Sequence, residues 1–347
     1  MDSHTTSTNT RDAVRLGVFV SCALIVLIFF KYLPDVGTSV IQSLPSTLMS
    51  WDAYTEYYLS EASVHHARFL GNELVHWLAR LLPEGPAAND VRLHPLRLSA
   101  TLFTILWFLV ALIPMAMPMR RFDPRIYLAG LSVMVMSGLY VYYPCDAPSL
   151  AWLALGTTFL LSERLMLALA CLLITGLFRE SAFHLVVMTG LWALCARHQT
   201  LAKRVAWPLA FGALFAVEYK LIRHWYPGAV KDMGHYAGLL SAEGLSDLVL
   251  GGGLWSLTTL LTLPLAVAYP LAWWRFKRHA AQHEWQHRFF LLNCLAFPAW
   301  VFFYRTQGGN INEFRIMWPF LLPCLMGLAW QPSNNSSISA SGHSKAH

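Results

Sequence analysis

The chain has 347 residues, of which 56% are hydrophobic and only 13% are charged, and its formal net charge is +6. A soluble globular domain has roughly a quarter charged residues and less than half apolar residues. With a mean hydropathy of +0.45, this composition excludes a disordered chain, a collagen-like repeat and an ordinary cytosolic enzyme. It predicts a polytopic, all-α membrane protein.

Apolar runs separated by charged turns predict about ten transmembrane helices with both termini in the cytoplasm. These spans are expected at about 16–30, 98–119, 126–143, 148–162, 165–178, 181–196, 205–222, 248–274, 289–304 and 316–330. Residues 1–13 are then a cytoplasmic tail and 331–347 a flexible cytoplasmic tail. Residues 14–330 form a single transmembrane domain that includes a long outer loop at 31–97.

The first outer loop contains an amphipathic stretch, because Leu70, Leu74, Leu78 and Leu81 share one helical stripe while polar side chains occupy another. We expect a helix in the membrane interface here. It is interpreted as a lid over the bundle, as a wall of a site, or as both.

The same loop contains two acids, Asp52 and Glu56, spaced so that both carboxylates share one face of a helix. Two close carboxylates can supply a general base or hold a divalent cation. The alternative is a solvated helix face, with Ser50 or Asp52 as the N-cap.

The segment 165–196 admits two interpretations. A single helix would be roughly 48 Å long, at about 1.5 Å per residue, and would bury Arg179 and Glu180 at mid-membrane. A hairpin with these two residues at its outer turn keeps the basic residues of 197–204 on the cytoplasmic side. We therefore predict a hairpin.

Ionisable residues are rare in membrane spans and usually face a functional cavity. Under this topology nine candidates lie at or near the outer face: Asp52, Glu56, Arg68, Asp146, Arg179, Glu180, Arg305, Glu313 and Arg315. The inner loops are basic and contain few acids. This distribution predicts a reaction centre at the outer leaflet.

Several of these residues also have simpler explanations. Asp146 precedes Pro148, so capping of a helix that begins at Pro148 accounts for it. Arg179 and Glu180 are interpreted either as members of an internal salt bridge or as a phosphate-binding arginine oriented by a glutamate. The arginines of 305–315 also have two interpretations: they bind a lipid phosphate or pyrophosphate, or they only contact lipid headgroups.

Other classes of site are not indicated. Most Lys and Arg residues stand singly or in short clusters between apolar runs, which favours a topological role over nucleic-acid binding. The six cysteines show no CxxC or Cys/His spacing and are interpreted as small buried hydrophobic residues. We predict no metal site. No cofactor is indicated, and a divalent cation is compatible with the sequence but not required by it.

Short motifs resemble those of bacterial GT-C superfamily glycosyltransferases, which use polyprenyl-phosphate sugars. They are Asp52 with Glu56 in the first outer loop, Asp-x-Pro-Ser at 146–149, Arg-Glu at 179–180 and Asn-Glu-x-Arg at 312–315. The resemblance covers about 15–330. It implies an essential acid in the first outer loop, and here the spacing of the two acids leaves open which of them is the base.

The resemblance also implies an activity. A sugar is transferred from a polyprenyl-phosphate donor to a glycan, lipid or protein acceptor at the periplasmic face of the bacterial inner membrane. Asp52, with Glu56 second, would deprotonate the acceptor hydroxyl. The implied substrate-binding residues are Arg68, Asp146, Arg179, Glu180, Arg305, Glu313 and Arg315.

Two alternatives stay open. One is an EpsG- or Wzy-like exopolysaccharide polymerase, which uses pyrophosphate-linked oligosaccharides. The other is a flippase or transporter of lipid-linked sugars. The transporter is less favoured, because transporters carry polar groups at mid-membrane whereas the charged residues here gather on one side.

Overall fold

The computed structural model describes residues 69–82, 95–116, 123, 126–128, 130–131, 134, 145–225, 274, 285–306 and 318–330. Within these ranges the chain is helical apart from short turns, and it contains no β-strand. The predicted all-α class is therefore confirmed for the described residues. The predicted span at 16–30 lies outside these residues, and so does the predicted span at 248–274 except for its last residue, Trp274.

The helices are, in chain order, α1 (Phe69–Arg80), α2 (Pro95–Ala111), α3 (Ile113–Ala116), α4 (Asp146–Leu161), α5 (Leu165–Phe178), α6 (Phe183–Cys195), α7 (Leu201–Trp225), α8 (Trp285–Thr306) and α9 (Trp318–Ala329). A 3₁₀ turn, Glu180–Ala182, joins α5 to α6. Helix α2 and the helices α4 to α9 each fall on a predicted span.

Only one helix within the described ranges, α7, is both long and apolar enough to cross a membrane. Helix α5, the segment Glu180–Cys195 and residues Leu102–Ala111 of α2 are apolar but shorter. The described residues are therefore helical, and the number of membrane spans is part of the proposed function.

The chain between residues 165 and 196 forms two helices rather than one. Helix α5 ends at Phe178, and Arg179 has an extended backbone with φ −163° and ψ 149°. Helix α6 begins at Phe183, after the 3₁₀ turn. The break falls at the Arg-Glu pair, where the hairpin prediction placed it.

The other ends of α5 and α6 are joined through Glu163, in the turn between α4 and α5. Glu163 has a left-handed backbone with φ 59°. Its Oε1 lies 2.6 Å from His198 Nε2, and its Oε2 accepts a hydrogen bond from Gln199 at 2.8 Å. Because the start of α5 and the end of α6 meet at one residue, the two helices run antiparallel, and the hairpin is confirmed.

Helix α4 lies at the centre of the bundle and packs against α2, α5 and α6. Its buried hydroxyls bond to its own backbone: Thr157 donates to Leu153 O at 2.7 Å and Thr158 to Ala154 O at 2.8 Å. These bonds remove the cost of burying free hydroxyl groups. An apolar core therefore closes around a helix that contains polar residues.

Helix α7 lies on the outside of the bundle, against α5 and α6. Along its length only Phe211 and Ile222 are buried. Its exposed large apolar side chains are Leu201, Val205, Leu209, Leu214, Val217, Tyr219, Leu221 and Trp225. An exposed apolar face of this length is suited to contact with lipid or with another apolar surface.

Candidate functional site

The predicted site residues are divided between described and undescribed parts of the chain. Those with described side chains are Asp146, Arg179 and Glu180. Arg305 lies near the end of α8. Those outside the described residues are Asp52, Glu56, Arg68, Glu313 and Arg315. The three with described side chains lie where α4 begins and directly after α5 ends.

Asp146, the first residue of α4, forms an ion pair with Arg179, which follows the last residue of α5. Their side chains are only 6% and 12% exposed. The Cys145 thiol also donates to Asp146 Oδ1, at 3.6 Å. An acid at a helix start and a base at a helix end both complement the helix dipoles. The pair therefore joins the start of α4 to the end of α5.

The helix start differs from the prediction. Helix α4 begins at Asp146, two residues before Pro148, and Cys145 occupies the N-cap position. The interpretation of Asp146 as the cap of a helix that begins at Pro148 is therefore wrong. A buried carboxylate needs a charged partner more than a helix start needs a cap, and Arg179 is that partner.

A second polar contact lies beside the ion pair. Ser149 Oγ and Ser181 Oγ are 2.8 Å apart, which joins α4 to the 3₁₀ turn. Ser149 lies one helical turn after Asp146, and Ser181 lies two residues after Arg179. The two contacts together hold the turn between α5 and α6 against the start of α4.

Glu180 faces α7. Its Oε1 lies 3.9 Å from Arg223 Nη2, and the two side chains are 35% and 25% exposed. The Arg223 guanidinium also lies 5.2 Å from the centre of the Tyr219 ring, within the range of a cation–π interaction. A partly exposed ion pair of this length contributes little stability.

Glu218 is the remaining acid at this end among residues 145–225, and its carboxylate packs directly on Gly176 of α5. A Cβ atom at position 176 would overlap the carboxylate, so only glycine leaves room for it. Glu218 Oε2 is shielded from solvent and has no hydrogen-bond partner among the described residues. An unsatisfied buried oxygen of this kind is costly.

A small cleft of about 20 Å³ opens beside this oxygen. It is lined by Gly176, Glu180, Phe215, Glu218, Tyr219, Ile222 and Arg223. A cavity needs roughly 10–15 Å³ to hold one water molecule. The cleft therefore accommodates about one water molecule beside the Glu218 carboxylate, and a sugar requires α5 and α7 to separate further.

Helix α1 packs beside this site, and it carries the predicted amphipathic pattern. Val75 and Ala79 form an apolar cluster with Phe103, Cys145 and Phe178. Cys145 and Phe178 directly precede the two members of the buried ion pair. The buried face of α1 is centred on Val75 and Ala79, with three of the predicted leucines half-buried and Leu81 exposed. The predicted apolar stripe is therefore confirmed only in part, and the role of α1 as a lid stays a prediction.

His76 lies on α1, next to this buried face. Partial burial and then the charge of Arg80 lower its pKa, while Glu73 acts in the opposite direction. The lowered pKa means that the imidazole keeps its neutral form to a lower pH than an exposed histidine does.

The opposite end of these helices is basic. Arg204 Nε donates to Ala193 O at 2.5 Å, and the His198 ring lies 6.1 Å from that of Trp285. The basic side chains here are Arg164, Arg197, Lys203, Arg204 and Arg288, and between 145 and 225 the only acid at this end is Glu163. The other three acids of that range lie at the end where Asp146 and Arg179 meet. Acids and bases are thus mixed at one end, and bases predominate at the other.

Glu218 and Arg223 were not among the predicted site residues. The available signal was the position of Glu218 as the only acid within the apolar run 205–222, since an ionisable residue inside a predicted span is unusual. Within the described ranges, no group of three or more His, Cys, Asp or Glu side chains is placed to hold a metal ion.

No protein-family model matches the chain, and no curated protein and no solved structure matches it. The function therefore has to be inferred from the chemistry of this group of residues and from the character of the helices that carry it.

Proposed function

We propose that this chain is an integral membrane glycosyltransferase of the GT-C type, with about ten transmembrane helices. It transfers a sugar from a polyprenyl-phosphate donor to an acceptor hydroxyl at the outer face of a bacterial inner membrane. The observation that carries the proposal is the buried Asp146–Arg179 pair, with Glu180, Glu218 and Arg223 beside it, at one end of an apolar bundle. Charges are costly in such a setting and are usually retained for function.

In the proposed reaction, Asp52, with Glu56 as second candidate, removes the proton from the acceptor hydroxyl. The oxygen then attacks the anomeric carbon, the bond from that carbon to the phosphate oxygen breaks, and the phosphate keeps the electron pair. Arg179, Arg305 and Arg315 stabilise the departing lipid phosphate. Arg68, Asp146, Glu180 and Glu313 complete the proposed substrate-binding set.

The Asp146–Arg179 pair supports a phosphate-binding role for Arg179 in one respect. A guanidinium has five N–H donors in a fixed plane. Asp146 holds one edge of the group, which orients the donors that remain. A guanidinium that is already oriented loses less entropy when phosphate oxygens bind.

A first prediction concerns orientation in the membrane. We expect His224→Cys, at the exposed end of α7, to react with a membrane-impermeant maleimide from outside the cell. Arg197→Cys, at the exposed basic end, should react only after the membrane is permeabilised, since loops rich in Lys and Arg stay in the cytoplasm. The wild-type protein gives the background labelling. Labelling of Arg197→Cys from outside would contradict the proposed topology.

A second prediction concerns the base. In proteoliposomes supplied with polyprenyl-phosphate sugars, we expect Asp52→Asn to reduce sugar transfer by about 10²–10⁴-fold, the range over which general bases act. Binding of the donor should be retained, because the side chain keeps its size. Asp35→Asn, the same change elsewhere in the first outer loop, is the matched control.

The outcomes separate the parts of the proposal. A wild-type protein that transfers no sugar from any such donor contradicts the glycosyltransferase function. Transfer only from pyrophosphate-linked oligosaccharides points to a polymerase instead. An Asp52→Asn variant that keeps wild-type transfer contradicts the assignment of the base, and Glu56→Gln then tests the second candidate.

A further inference from the structure

Between residues 145 and 225, three acids lie at the outer end of the bundle, and they differ in how their oxygens are engaged. Asp146 is paired with Arg179, and Glu180 lies beside Arg223. Glu218 alone has a solvent-shielded carboxylate oxygen with no hydrogen-bond partner among the described residues. Of the three, Glu218 therefore has the lone pairs best placed to accept a proton.

The setting of Glu218 is built by the sequence of α5. Gly176 is the residue on which the carboxylate rests, and any side chain there would push the carboxylate out of the cleft. Gly190 of α6 is different, because a Cβ atom there would meet no atom within 4 Å. The space beside Gly176 is therefore filled by the Glu218 carboxylate, whereas the space beside Gly190 is open.

The cleft connects this oxygen to the rest of the site. It has room for about one water molecule, and Glu180 and Arg223 line it together with Glu218. The charged and titratable groups on the elements around Glu218 are Arg179, Glu180, His184, Tyr219, Lys220 and Arg223. A water molecule in the cleft would link the shielded oxygen with the charged end of the bundle.

We propose that Glu218 is the second carboxylate of the reaction, taking up through one water molecule the proton that the acceptor hydroxyl releases. The inference rests on the proposed glycosyltransferase function. Asp52 takes the proton from the hydroxyl and gives it to water, a water molecule in the cleft passes a proton to Glu218 Oε2, and Glu218 becomes a carboxylic acid while Asp52 returns to a carboxylate. The acid returns the proton to water at the outer face before the next turnover, so that no other reactant is needed.

Two kinds of substitution test this role in the full-length protein in proteoliposomes. Glu218→Gln removes the proton acceptor without a change of size, and we expect kcat to fall about 100-fold while KM for the donor stays within a few-fold of wild type. The pH dependence of kcat should lose one ionisation. Glu218→Asp should restore part of kcat and the lost ionisation, because it keeps a carboxylate.

The second kind moves the carboxylate without altering it. Gly176→Ala should lower kcat in the same way as Glu218→Gln, because the added methyl group displaces the side chain from the cleft. Gly190→Ala is the matched control, and Gly212→Ala, which meets only Val186 at 3.8 Å, is a control on α7 itself. Both controls should keep wild-type kcat and folding.

Covalent labelling with dicyclohexylcarbodiimide tests this role without measuring turnover. The reagent is apolar and modifies protonated carboxylic acids in apolar surroundings. We expect peptide mass spectrometry to find the adduct on Glu218, and to find less of it as the pH rises. Asp146, paired with Arg179, serves as the internal comparison and should stay unmodified.

The possible results are distinct. A wild-type protein without transferase activity contradicts the proposed function, and the labelling of Glu218 is then still measured. A Glu218→Gln variant with wild-type kcat and an unchanged pH profile overturns the role of Glu218 in an active enzyme. The absence of an adduct on Glu218 at every pH overturns it in either case.

Discussion

Asp146→Ala is expected to lower the free energy of unfolding by about 3–5 kcal/mol, the usual cost when one partner of a buried ion pair is removed. The reason is that Arg179, whose side chain is only 12% exposed, then stays buried without its counter-charge. Reversible unfolding in detergent, followed by far-UV circular dichroism, measures the change.

A double-mutant cycle makes this test specific. Arg179→Ala should cost a similar amount, because it leaves the Asp146 carboxylate buried and unpaired. The double variant, Asp146→Ala with Arg179→Ala, should be destabilised by clearly less than the sum of the two single changes, since neither charge is then stranded. Additive effects would contradict the ion pair.

Glu163→Ala is the matched control for this cycle. It removes the contact between Glu163, whose side chain is 30% exposed, and His198, whose side chain is 46% exposed. An exposed pair of this kind contributes about 0–1 kcal/mol. If Asp146→Ala and Glu163→Ala lower the free energy of unfolding equally, the burial of the Asp146–Arg179 pair does not add to its contribution to stability.

The second large effect is expected at Gly156, where α4 approaches α5 and α6. A Cβ atom at position 156 would lie 2.9 Å from Leu185 Cδ1 and 3.1 Å from Cys171 Cβ. Gly156→Ala therefore forces the helices apart, and we expect a loss of about 1–3 kcal/mol, the usual cost of overpacking. Gly156→Leu adds far more volume, and little folded protein should remain.

Gly190→Ala again supplies the comparison, since it makes the same chemical change in a helix with open space around it. Alanine favours a helix over glycine by about 0.8–1.0 kcal/mol. Gly190→Ala should therefore match or exceed wild-type stability in a thermal melt in detergent. A Gly156→Ala protein as stable as Gly190→Ala would show that α4 does not pack as closely as described.

The sequence was sufficient to predict the helices and the hairpin, because these depend on local patterns. Apolar runs mark the helices, and the charges of Arg179 and Glu180 mark the break between α5 and α6. The meeting of Asp146 and Arg179 follows from the same pattern. Both residues lie nearly the same distance along the chain from the turn at Glu163, so antiparallel helices bring them to one end.

The role of Gly176 was not predictable in this way. Its contact with Glu218 joins two helices that are not neighbours in the chain, and it depends on the rotation of α7 against α5. Neither property is encoded in a run of apolar residues. The helix start at Asp146 was also missed, because local capping preferences do not include the demand of a distant arginine for a counter-charge.

The two ends of the helix bundle are joined by contacts of different length. At the basic end, Glu163 ties the turn before α5 to the segment between α6 and α7 with two short hydrogen bonds. At the other end, α7 is held to the 3₁₀ turn by an ion pair 3.9 Å long between partly exposed side chains. The contact between Glu180 and Arg223 is the longer of these fastenings. The buried Asp146–Arg179 pair includes no residue of α7, so loss of the Glu180–Arg223 contact should leave the junction between α4 and α5 closed.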